Sequence, residues 1–412
     1  MNNKKYPVAD GARHILDTLR DAGFEAYIVG GAVRDMLLGS TPSDYDITTS
    51  AMPEQTKAAF SEEKTIDTGI KHGTVTVLYG GVPYEVTTYR TEGGYRDNRH
   101  PDSVCFVSSL DDDLSRRDFT VNAMCINAEG ELYDAFGGAE DLKNGIIRTV
   151  GEAKRRFTED ALRILRALRF CAVLDFKIEE RTAAALHGTK ELLKNVSGER
   201  IFAELIKLLS GKGAYRVLTE YSEIITAALP SLSGVSIENP ERFAALTPRE
   251  KLIALHISAP NGSLEAAINR LCDTLHTDRE LRDCALSAGR IIKLNPKSER
   301  QVLHILKGRD GEYITSALAI GYSLGYRADD GKELLEAVKA SGVPYKISEL
   351  ALGGGDLLSL GFKGEAVGKI LSAALDLIIN GELENDREIL LKYAKMQTNN
   401  YKSKEIGHKN GI

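Results

Sequence analysis

The distribution of strand-like alternation constrains this fold more than any other feature of the sequence. Over residues 74–89 apolar and polar residues alternate on both sides of a Gly-Gly pair, which is typical of a β-hairpin. Short apolar runs at residues 26–29 and 45–49 predict two further strands. After Gly151 the alternation nearly disappears, and Leu, Ala, Glu, Lys and Arg recur at helical spacing. The sequence therefore predicts an α+β fold, in which a mixed sheet with helices is followed by an all-helical remainder.

Composition excludes several classes of protein. The 412 residues are 42% hydrophobic and 27% charged, and no run approaches the roughly 20 apolar residues of a membrane helix. The first residues lack the apolar core of a signal peptide. Five cysteines without CxxC or Cys/His clusters argue against a disulfide framework and a structural zinc site. We expect a soluble, cytoplasmic protein.

Charge is distributed unevenly along the chain. Residues 1–142 have 13 Lys and Arg against 24 Asp and Glu, residues 143–216 have 16 against 9, and residues 217–412 have 24 against 26. An acidic segment followed by a basic one is consistent with a cation site formed by carboxylates beside a phosphate site formed by arginines. A solvated basic helix face would give the same count.

Two aspartates lie two residues apart in the segment PSDYDITT. If the segment is a strand, Asp44 and Asp46 leave the same face and repel each other unless a cation such as Mg²⁺ joins them. Glu85, on the predicted hairpin, could add a third carboxylate from a neighbouring strand. Two or three such carboxylates are the ligand set for two-metal phosphoryl transfer. A turn is the alternative interpretation, because Pro-Ser-Asp favours turns.

A glycine pair precedes these aspartates in the run YIVGGAVRDMLLG. Gly30-Gly31 closes a strand and opens a helix, so that backbone N–H groups can approach a phosphate. Arg34, three residues into that helix, can pair with the same phosphates. Neither a GK[ST] loop nor a GxGxxG run is present. A purely structural turn is the alternative.

A basic helix is predicted over residues 158–170, TEDALRILRALRF. Asp160 and Arg163 are three residues apart and are expected to share a face, and Arg166 and Arg169 continue the same spacing. A carboxylate acceptor beside a guanidinium donor matches the Watson–Crick edges of cytosine and adenine and opposes those of guanine and uracil. A salt-bridged surface helix is the alternative.

Residues 90–106, RTEGGYRDNRHPDSVCF, are rich in Gly, Arg and Asp and poor in apolar side chains. We expect a mobile loop near the metal site, with Arg90, Arg96 and Arg99 as its cations. An ordinary long surface connection is the alternative.

Five motifs, in order, resemble those of the class II tRNA nucleotidyltransferases and bacterial poly(A) polymerases. They are YIVGGAVRDMLLGSTPSDYDITT, SRRDFTVNAM (Ser115–Met124), YDAFGGAEDL (Tyr133–Leu142), TEDALRILRALRF (Thr158–Phe170) and SGERIFAEL (Ser197–Leu205). The resemblance implies a polymerase-β-like nucleotidyltransferase head over residues 1–150 and a helical neck for base recognition over 151–216. It further implies a helical body and tail that bind tRNA over 217–395, and we expect a flexible end over 396–412.

The resemblance also implies roles for individual residues. Asp44 and Asp46 would bind Mg²⁺, and Glu85 matches the third catalytic carboxylate of the wider superfamily. The residues implied to contact the nucleotide are Gly31, Arg34, Arg117, Asp118, Asp160, Arg163, Arg166 and Arg169. Family members that add only C residues lack a flexible loop, so residues 90–106 imply that AMP can be added.

The function implied is template-independent addition of C, C and A to the 3′ end of tRNA from CTP and ATP, with release of pyrophosphate. An enzyme that adds only the terminal A and a poly(A) polymerase remain open, because these relatives share most of the motifs. A non-catalytic RNA-binding protein is the alternative of another class, against which Asp44, Asp46, Arg34 and Arg117 argue. A small-molecule nucleotidyltransferase fits the long helical half poorly.

Overall fold

The computed structural model describes residues 5–95, 101–258 and 263–397. Its contacts divide the chain into two compact units, residues 1–233 with 274–276, and residues 234–273 with 277–412. The segment predicted to be flexible, 396–412, lies outside the described residues from position 398 onward. In the described ranges, no helix is both long and apolar enough to cross a membrane.

A seven-stranded sheet forms the centre of the first unit. The strands of the chain are β1 (Ala26–Val29), β2 (Asp46–Thr49), β3 (Lys64–Gly69), β4 (Thr74–Tyr79), β5 (Val82–Thr88), β6 (Arg90–Tyr95), β7 (Pro101–Phe106), β8 (Cys125–Ile126), β9 (Leu132–Tyr133), β10 (Ile146–Ile147) and β11 (Lys177–Ile178). The sheet has the order β3-β4-β5-β2-β1-β8-β9, and only the β2–β5 pair is parallel. The strand predicted at residues 26–29 and the hairpin predicted around Gly80-Gly81 are confirmed by β1 and by β4 with β5.

Short helices accompany the sheet, and longer ones follow it. The helices of the first unit are α1 (Asp10–Asp21), α2 (Gly31–Leu37), α3 (Pro53–Ala59), α4 (Leu110–Ser115), α5 (Gly138–Asn144), α6 (Ala153–Glu159), α7 (Leu162–Leu174), α8 (Glu180–Thr189), α9 (Gly198–Leu209), α10 (Ala214–Glu220) and α11 (Ser222–Ala228). The amphipathic face predicted for α1 is buried, with Ile15 and Leu19 fully withdrawn from solvent. Apolar residues at helical spacing thus anchor the helix on the sheet.

The second unit is helical throughout its described part. Its helices are α12 (Pro240–Ala244), α13 (Pro248–Ile257), α14 (Leu264–Leu275), α15 (Arg279–Leu294), α16 (Glu299–Lys307), α17 (Ile314–Ser323), α18 (Lys332–Ser341), α19 (Gly354–Ser359) and α20 (Glu365–Ile379), and helical residues 387–397 follow. The prediction of an all-helical chain after Gly151 is confirmed, with the two-residue strand β11 as an exception.

The structure has two strands in place of the irregular loop expected over residues 90–106, in the part that it describes, while the mobility of this segment stays a prediction. Strands β6 and β7 pair in antiparallel fashion from Arg90 opposite Phe106 to Tyr95 opposite Pro101. Glycines and charged residues interrupt the alternation of apolar and polar side chains that would have predicted these strands. The hydrogen bonds between β6 and β7 nevertheless satisfy the backbone polar groups of the segment. Arg96 and Arg99 lie outside the described residues.

Candidate active site

A cleft of about 690 Å³ in the first unit gathers the residues that the sequence singles out. Among the residues expected to act in catalysis or to bind the nucleotide, Glu85 is the one that does not line this cleft. The predicted residues in its lining are Gly31, Arg34, Asp44, Asp46, Arg117, Asp118, Asp160, Arg163, Arg166 and Arg169. Gly30, the first residue of the predicted glycine turn, also lines the cleft. Lining residues that the sequence did not single out are Asp35, Ser43, Arg116, Asn122, Leu162, Phe170 and Arg200.

Gly30 joins β1 to α2 at the floor of the cleft. Its φ of 73° lies in the region that L side chains rarely adopt. A Cβ atom at this position would lie 3.4 Å from Arg117 Nη1 and 3.7 Å from Asp46 Oδ2. These distances are ordinary van der Waals contacts, so it is the positive φ of the turn that requires a glycine here.

The two aspartates do not both lie on a strand. Asp46 is the first residue of β2, while Asp44 precedes the strand and accepts a hydrogen bond of 2.9 Å from Ser43 Oγ. The prediction that both aspartates leave one face of a strand is therefore wrong. Both nevertheless line the same cleft. Glu85 pairs directly with Asp46 across the parallel β2–β5 ladder, so it lies beside the cleft without lining it.

Negative charge is concentrated around Asp46. Desolvation, followed by the charges of Glu85 and Asp44, raises the pKa of Asp46, and Arg117 opposes this shift. Asp46 is exposed, so a cation can reach it. A bound cation would offset the repulsion from Glu85 and Asp44, which is one cause of the raised pKa. Within the described residues, no group of three or more His, Cys, Asp or Glu side chains is arranged as a metal site.

Arg34 extends from α2 into the cleft. Its guanidinium donates hydrogen bonds to Asp35 Oδ1, at 2.8 and 3.0 Å, and to Asn122 Oδ1, at 2.9 Å. These contacts fix the orientation of a largely buried cation and leave its planar face over the Phe170 ring, 5.4 Å from the centroid. Arg34 is thus held in place before any ligand arrives.

Arg117 is anchored by a buried carboxylate. Asp113, fully buried at the end of α4, accepts a hydrogen bond of 3.3 Å from Arg117 Nη2 and one of 2.7 Å from Arg116 Nη2. It also accepts from Thr48 Oγ1 on β2, at 3.1 Å, and from the backbone N–H of Arg90 at the base of β6, at 3.3 Å. Burial would raise the pKa of Asp113, but Arg116 and Arg117 outweigh it and lower the pKa. One ionised carboxylate thus connects α4, β2 and β6.

Asp118 is ionised and bound to α7. It accepts a hydrogen bond of 2.7 Å from Arg166 Nε on α7 and one of 3.2 Å from Asn122 Nδ2. Burial alone would raise the pKa of Asp118, but Arg166 outweighs it and lowers the pKa to about 2. A ligand hydroxyl that reaches this carboxylate therefore meets an acceptor with no proton.

The expectation that Asp160 and Arg163 share a helix face is wrong. Asp160 has extended backbone dihedrals and lies in the break between α6 and α7. Its carboxylate is bound by Arg200 Nη2 of α9, at 2.9 and 3.2 Å, and accepts from the N–H of Leu162. Arg163 donates instead to Glu159 Oε2, at 2.7 Å. The local reason is that Asp160 caps the start of α7 and so cannot lie within the helix.

Phe170 lies among the cations of the cleft. The guanidinium carbons of Arg34, Arg166 and Arg169 lie 5.4, 5.7 and 4.2 Å from its ring centroid. The ring packs edge-on against Phe119 at 5.6 Å. Attraction to the π face offsets part of the repulsion between neighbouring cations, so that the three groups can converge.

Positive charge exceeds negative charge in the cleft lining. Seven arginines face five aspartates. Arg169 forms an ion pair of 3.0 Å with Glu204, but the two atoms are not aligned for a hydrogen bond. The Nε of Arg117 and an Nη of Arg200 are also buried without a hydrogen-bond partner in the described residues. The lining is therefore suited to a polyanionic ligand.

These features define a class of protein: a nucleotidyltransferase in which one cleft combines a glycine turn, paired aspartates and the arginines of α7. A family model described as "Poly A polymerase head domain" matches residues 26–148. A second, described as "Probable RNA and SrmB- binding site of polymerase A", matches residues 175–224.

Comparison over the whole chain defines the family more closely. The CCA-adding enzyme of Lactobacillus delbrueckii subsp. bulgaricus is 38% identical over 395 residues, which cover 93% of this chain and 96% of that protein. The chain belongs to the family of CCA-adding enzymes, which are nucleotidyltransferases.

Solved structures agree with this assignment. The crystal structure of the Bacillus stearothermophilus CCA-adding enzyme in complex with CTP has a TM-score of 0.78 and 35% identity, covering 96% of this chain and 98% of that chain. A Thermotoga maritima CCA-adding enzyme complexed with tRNA-CCA has a TM-score of 0.66 and 22% identity, covering 94% of each chain, and shows the shared fold.

Proposed function

We propose that this chain adds C, C and A in turn to the 3′ end of tRNA, using CTP and ATP and no nucleic-acid template. One observation carries the proposal: a single cleft contains both the paired aspartates and an excess of arginines. Carboxylates suit a divalent cation, and arginines suit a triphosphate. The cleft volume of about 690 Å³ is in the range of small-ligand sites.

Asp44 and Asp46 are proposed to hold Mg²⁺. Their hard oxygen donors suit this ion, and the crowding of Asp46 by Glu85 and Asp44 is a charge excess that a cation relieves. Two side chains do not complete the coordination shell, so nucleotide phosphates and water are expected to supply the remaining oxygens. When bound, the metal lowers the pKa of the RNA 3′-hydroxyl and stabilises the leaving pyrophosphate.

Arg34, Arg117 and the backbone at Gly31 are proposed to bind the triphosphate. Both guanidinium groups are oriented by buried or half-buried partners, so little side-chain entropy is lost when phosphates bind. Asp118, ionised beside Arg166, is proposed to accept a hydrogen bond from the ribose. Together these contacts hold the α-phosphate beside the paired aspartates.

Asp160 and Arg163, with Arg166 and Arg169 beside them on α7, are proposed to read the base. The ion pair with Arg200 fixes the direction of the Asp160 carboxylate, which supports its use as an acceptor for the exocyclic amino group of C or A. For Arg163 to donate to the ring nitrogen, it must exchange its contact with Glu159. A mismatched G or U would leave polar groups unsatisfied, at a cost of roughly 2–5 kcal/mol.

The wider organisation is part of the same proposal. Residues 1–150 act as the catalytic head, 151–216 as the neck, and 217–395 as the body and tail that bind tRNA. The match of residues 175–224 to a model for RNA binding supports contact with RNA near the neck. The five cysteines are free thiols, which supports a cytoplasmic location.

The test is single-nucleotide extension of a tRNA transcript that lacks its 3′ CCA, with Mg²⁺ and each nucleoside triphosphate alone or in pairs. Addition of C from CTP, completed by one A when ATP is present, is the expected result. Asp46→Asn should abolish incorporation while tRNA binding is retained.

Other outcomes would point elsewhere. Incorporation of A only on transcripts that already end in CC would indicate the A-adding enzyme. Long A tracts on unrelated RNA would indicate a poly(A) polymerase. No incorporation by the wild type, with tRNA binding retained, would support a non-catalytic RNA-binding protein.

A further inference from the structure

Asn122 is a buried amide in the wall of the cleft. It ends a short 3-10 helix, Thr120–Asn122, that precedes β8, and it is only 7% exposed. Its backbone N–H donates to the carbonyl oxygen of Phe119 at 2.9 Å. Gly138 of α5 packs so closely on this turn that a Cβ atom there would lie 2.2 Å from the Thr120 carbonyl oxygen. The backbone that carries Asn122 is therefore fixed by its own packing.

The side chain of Asn122 joins two groups that are proposed to bind different parts of the nucleotide. Its Oδ1 accepts from Arg34 Nη1 at 2.9 Å, and its Nδ2 donates to Asp118 Oδ1 at 3.2 Å. Arg34 lies 88 positions earlier in the chain, and Asp118 lies four positions earlier. In the described residues, Arg34 and Asp118 form no ion pair with each other. The amide thus links the cation proposed for the triphosphate to the carboxylate proposed for the ribose.

The chemistry of the two partners calls for an amide at this position. A guanidinium has only donors, and an ionised carboxylate has only acceptors. Although burial opposes ionisation, Arg166 and the bond from Asn122 lower the pKa of Asp118 to about 2. An amide offers an acceptor and a donor side by side on one planar group, so it satisfies both partners at once. A carboxylate here would repel Asp118, and an aliphatic side chain would leave both partners with an unmade bond.

Asn122 binds a second edge of the Arg34 guanidinium. Asp35 Oδ1 accepts from Arg34 Nε and Nη2, at 3.0 and 2.8 Å, while Asn122 binds Nη1. Asp35 directly follows Arg34 on α2, so it moves with the same helix turn. Two partners on different edges fix the plane of the guanidinium, whereas Asp35 alone would leave it free to turn. The bond to Asn122 therefore ties Arg34 to the opposite wall of the cleft.

Asp118 is also held through both of its oxygens. Its Oδ2 accepts from Arg166 Nε at 2.7 Å, and its Oδ1 accepts from the N–H of Phe119 at 2.8 Å as well as from Asn122. The Phe119 N–H belongs to the same stretch of backbone as Asp118. The bond from Asn122 is therefore the contact that sets the direction of Oδ1 relative to Arg34.

We propose that Asn122 is a positioning residue that sets the spacing between the triphosphate and ribose contacts, and so contributes to the choice of ribonucleotides over 2′-deoxyribonucleotides. It holds Arg34 and Asp118 apart, in orientations in which one nucleoside triphosphate meets both. Without the amide, these opposite charges are free to pair with each other instead of with the ligand. The inference deepens the proposed function and rests on it for the roles of Arg34 and Asp118.

The test measures the Kd of CTP and of 2′-deoxy-CTP by isothermal titration calorimetry, on the full-length chain with Mg²⁺ and without tRNA. The wild type should prefer CTP, because its 2′-hydroxyl donates to Asp118. Asn122→Leu keeps a side chain of similar size and removes both hydrogen bonds. It should raise the Kd for CTP by about tenfold, as expected for a lost bond to a charged group, and reduce the preference for CTP to within about twofold.

Double variants show whether Asn122 acts through its two partners. In an Arg34→Ala background, Asn122→Leu should still reduce the preference for CTP over 2′-deoxy-CTP, but it should raise the Kd for CTP much less than in the wild type. In an Asp118→Ala background, it should leave that preference unchanged. Such non-additivity is expected of residues in one hydrogen-bond network, and a merely structural role would not produce it.

A second variant decides the matter if Asn122→Leu does not fold. Asn122→Asp keeps the shape of the side chain and the acceptor for Arg34, but it replaces the donor to Asp118 with an anionic acceptor. The preference for CTP over 2′-deoxy-CTP should fall to within about twofold in this variant as well.

The matched control is Thr182→Val on α8. Thr182 is buried, donates to Glu179 Oε2 at 3.0 Å and accepts from the N–H of Thr149 at 3.4 Å, but it does not line the cleft. This substitution likewise replaces a buried polar group that makes two hydrogen bonds with an apolar one of similar size. Both variants should lower the Tm, but Thr182→Val should leave the Kd for CTP and the ribose preference within about twofold of the wild type.

Several outcomes would overturn the proposal. They are equal losses in the control and in Asn122→Leu, an unchanged ribose preference in both Asn122 variants, additive effects in both double variants, and a wild type that binds CTP and 2′-deoxy-CTP equally well. Failure of the proposed function would look different, because the wild type would then bind CTP without extending tRNA. Since binding is measured without tRNA, the role of Asn122 would still be decided.

Discussion

Asp113 provides the sharpest test of how the cleft is held together. The substitution Asp113→Asn preserves the shape of the side chain and removes the charge that binds Arg116 and Arg117. Breaking one side of a buried ion pair costs about 3–5 kcal/mol, and the retained amide oxygen should keep the loss near 3 kcal/mol. At about 2–4 °C per kcal/mol for a unit of this size, the Tm should fall by about 6–12 °C.

The variant should also bind nucleotide less well. Arg117 loses its anchor, so the KM for CTP should rise by about tenfold, while the salt dependence of tRNA binding stays the same. Asp112→Asn is the matched control, because Asp112 is the exposed neighbour of Asp113 on the same helix. It should leave both the Tm and the KM for CTP unchanged.

The pH dependence gives a third readout. Because the pKa of Asp113 is lowered in the folded protein, its stabilisation is complete above the unfolded pKa of about 3.9. The stabilisation is lost as the pH falls through the folded pKa. The difference in Tm between wild type and Asp113→Asn should therefore be constant from pH 8 to pH 5 and shrink only below about pH 4. A normal Tm and KM in Asp113→Asn would refute the role given to this carboxylate.

Three further measurements test other parts of the molecule. Asp46→Asn should raise the Tm in buffer with EDTA while abolishing nucleotide incorporation, because the ionised carboxylate is destabilising above its raised pKa; a lower Tm would contradict this. Arg200→Gln should reduce the preference for CTP and ATP over GTP and UTP by about tenfold in single-turnover assays, because it frees Asp160, whereas an unchanged preference would separate this ion pair from base choice. His256 is buried on α13, and burial lowers its pKa to about 4. The free energy of unfolding of the second unit should therefore fall as the pH decreases from 6.5 toward 4. The loss in urea unfolding should be about 2 kcal/mol at pH 5, and His256→Met should remove most of it.

Much of the fold could be predicted because its signals are local. The strand at residues 26–29, the hairpin around Gly80-Gly81 and the amphipathic face of α1 each depend on a short stretch of sequence. The change to helices after Gly151 is likewise a property of composition and spacing. Such features follow from side-chain periodicity and turn chemistry.

The details of the site depend on contacts between distant residues. Arg200 lies in the motif SGERIFAEL, 40 residues after Asp160, whose carboxylate it binds. Nothing in that motif identifies Asp160 as its partner. In the acidic run of α4, Asp113 is buried while Asp111 and Asp112 are exposed, although one sequence does not distinguish them. Helical spacing also suggested a pair, Asp160 with Arg163, that a break in the helix prevents.

The parallel pairing of β2 with β5 limits where this chain can change in length. Asp46 faces Glu85 in a ladder that continues to Thr49 opposite Thr88. Because side chains alternate along a strand, one residue inserted in β5 before Glu85 would turn that carboxylate to the other face of the sheet. At Gly80 and Gly81, an added Cβ would meet nothing within 4 Å, so extra residues in this turn need not disturb the ladder. We therefore expect the chain to tolerate insertions at the turn between β4 and β5, but not within β5 next to Glu85.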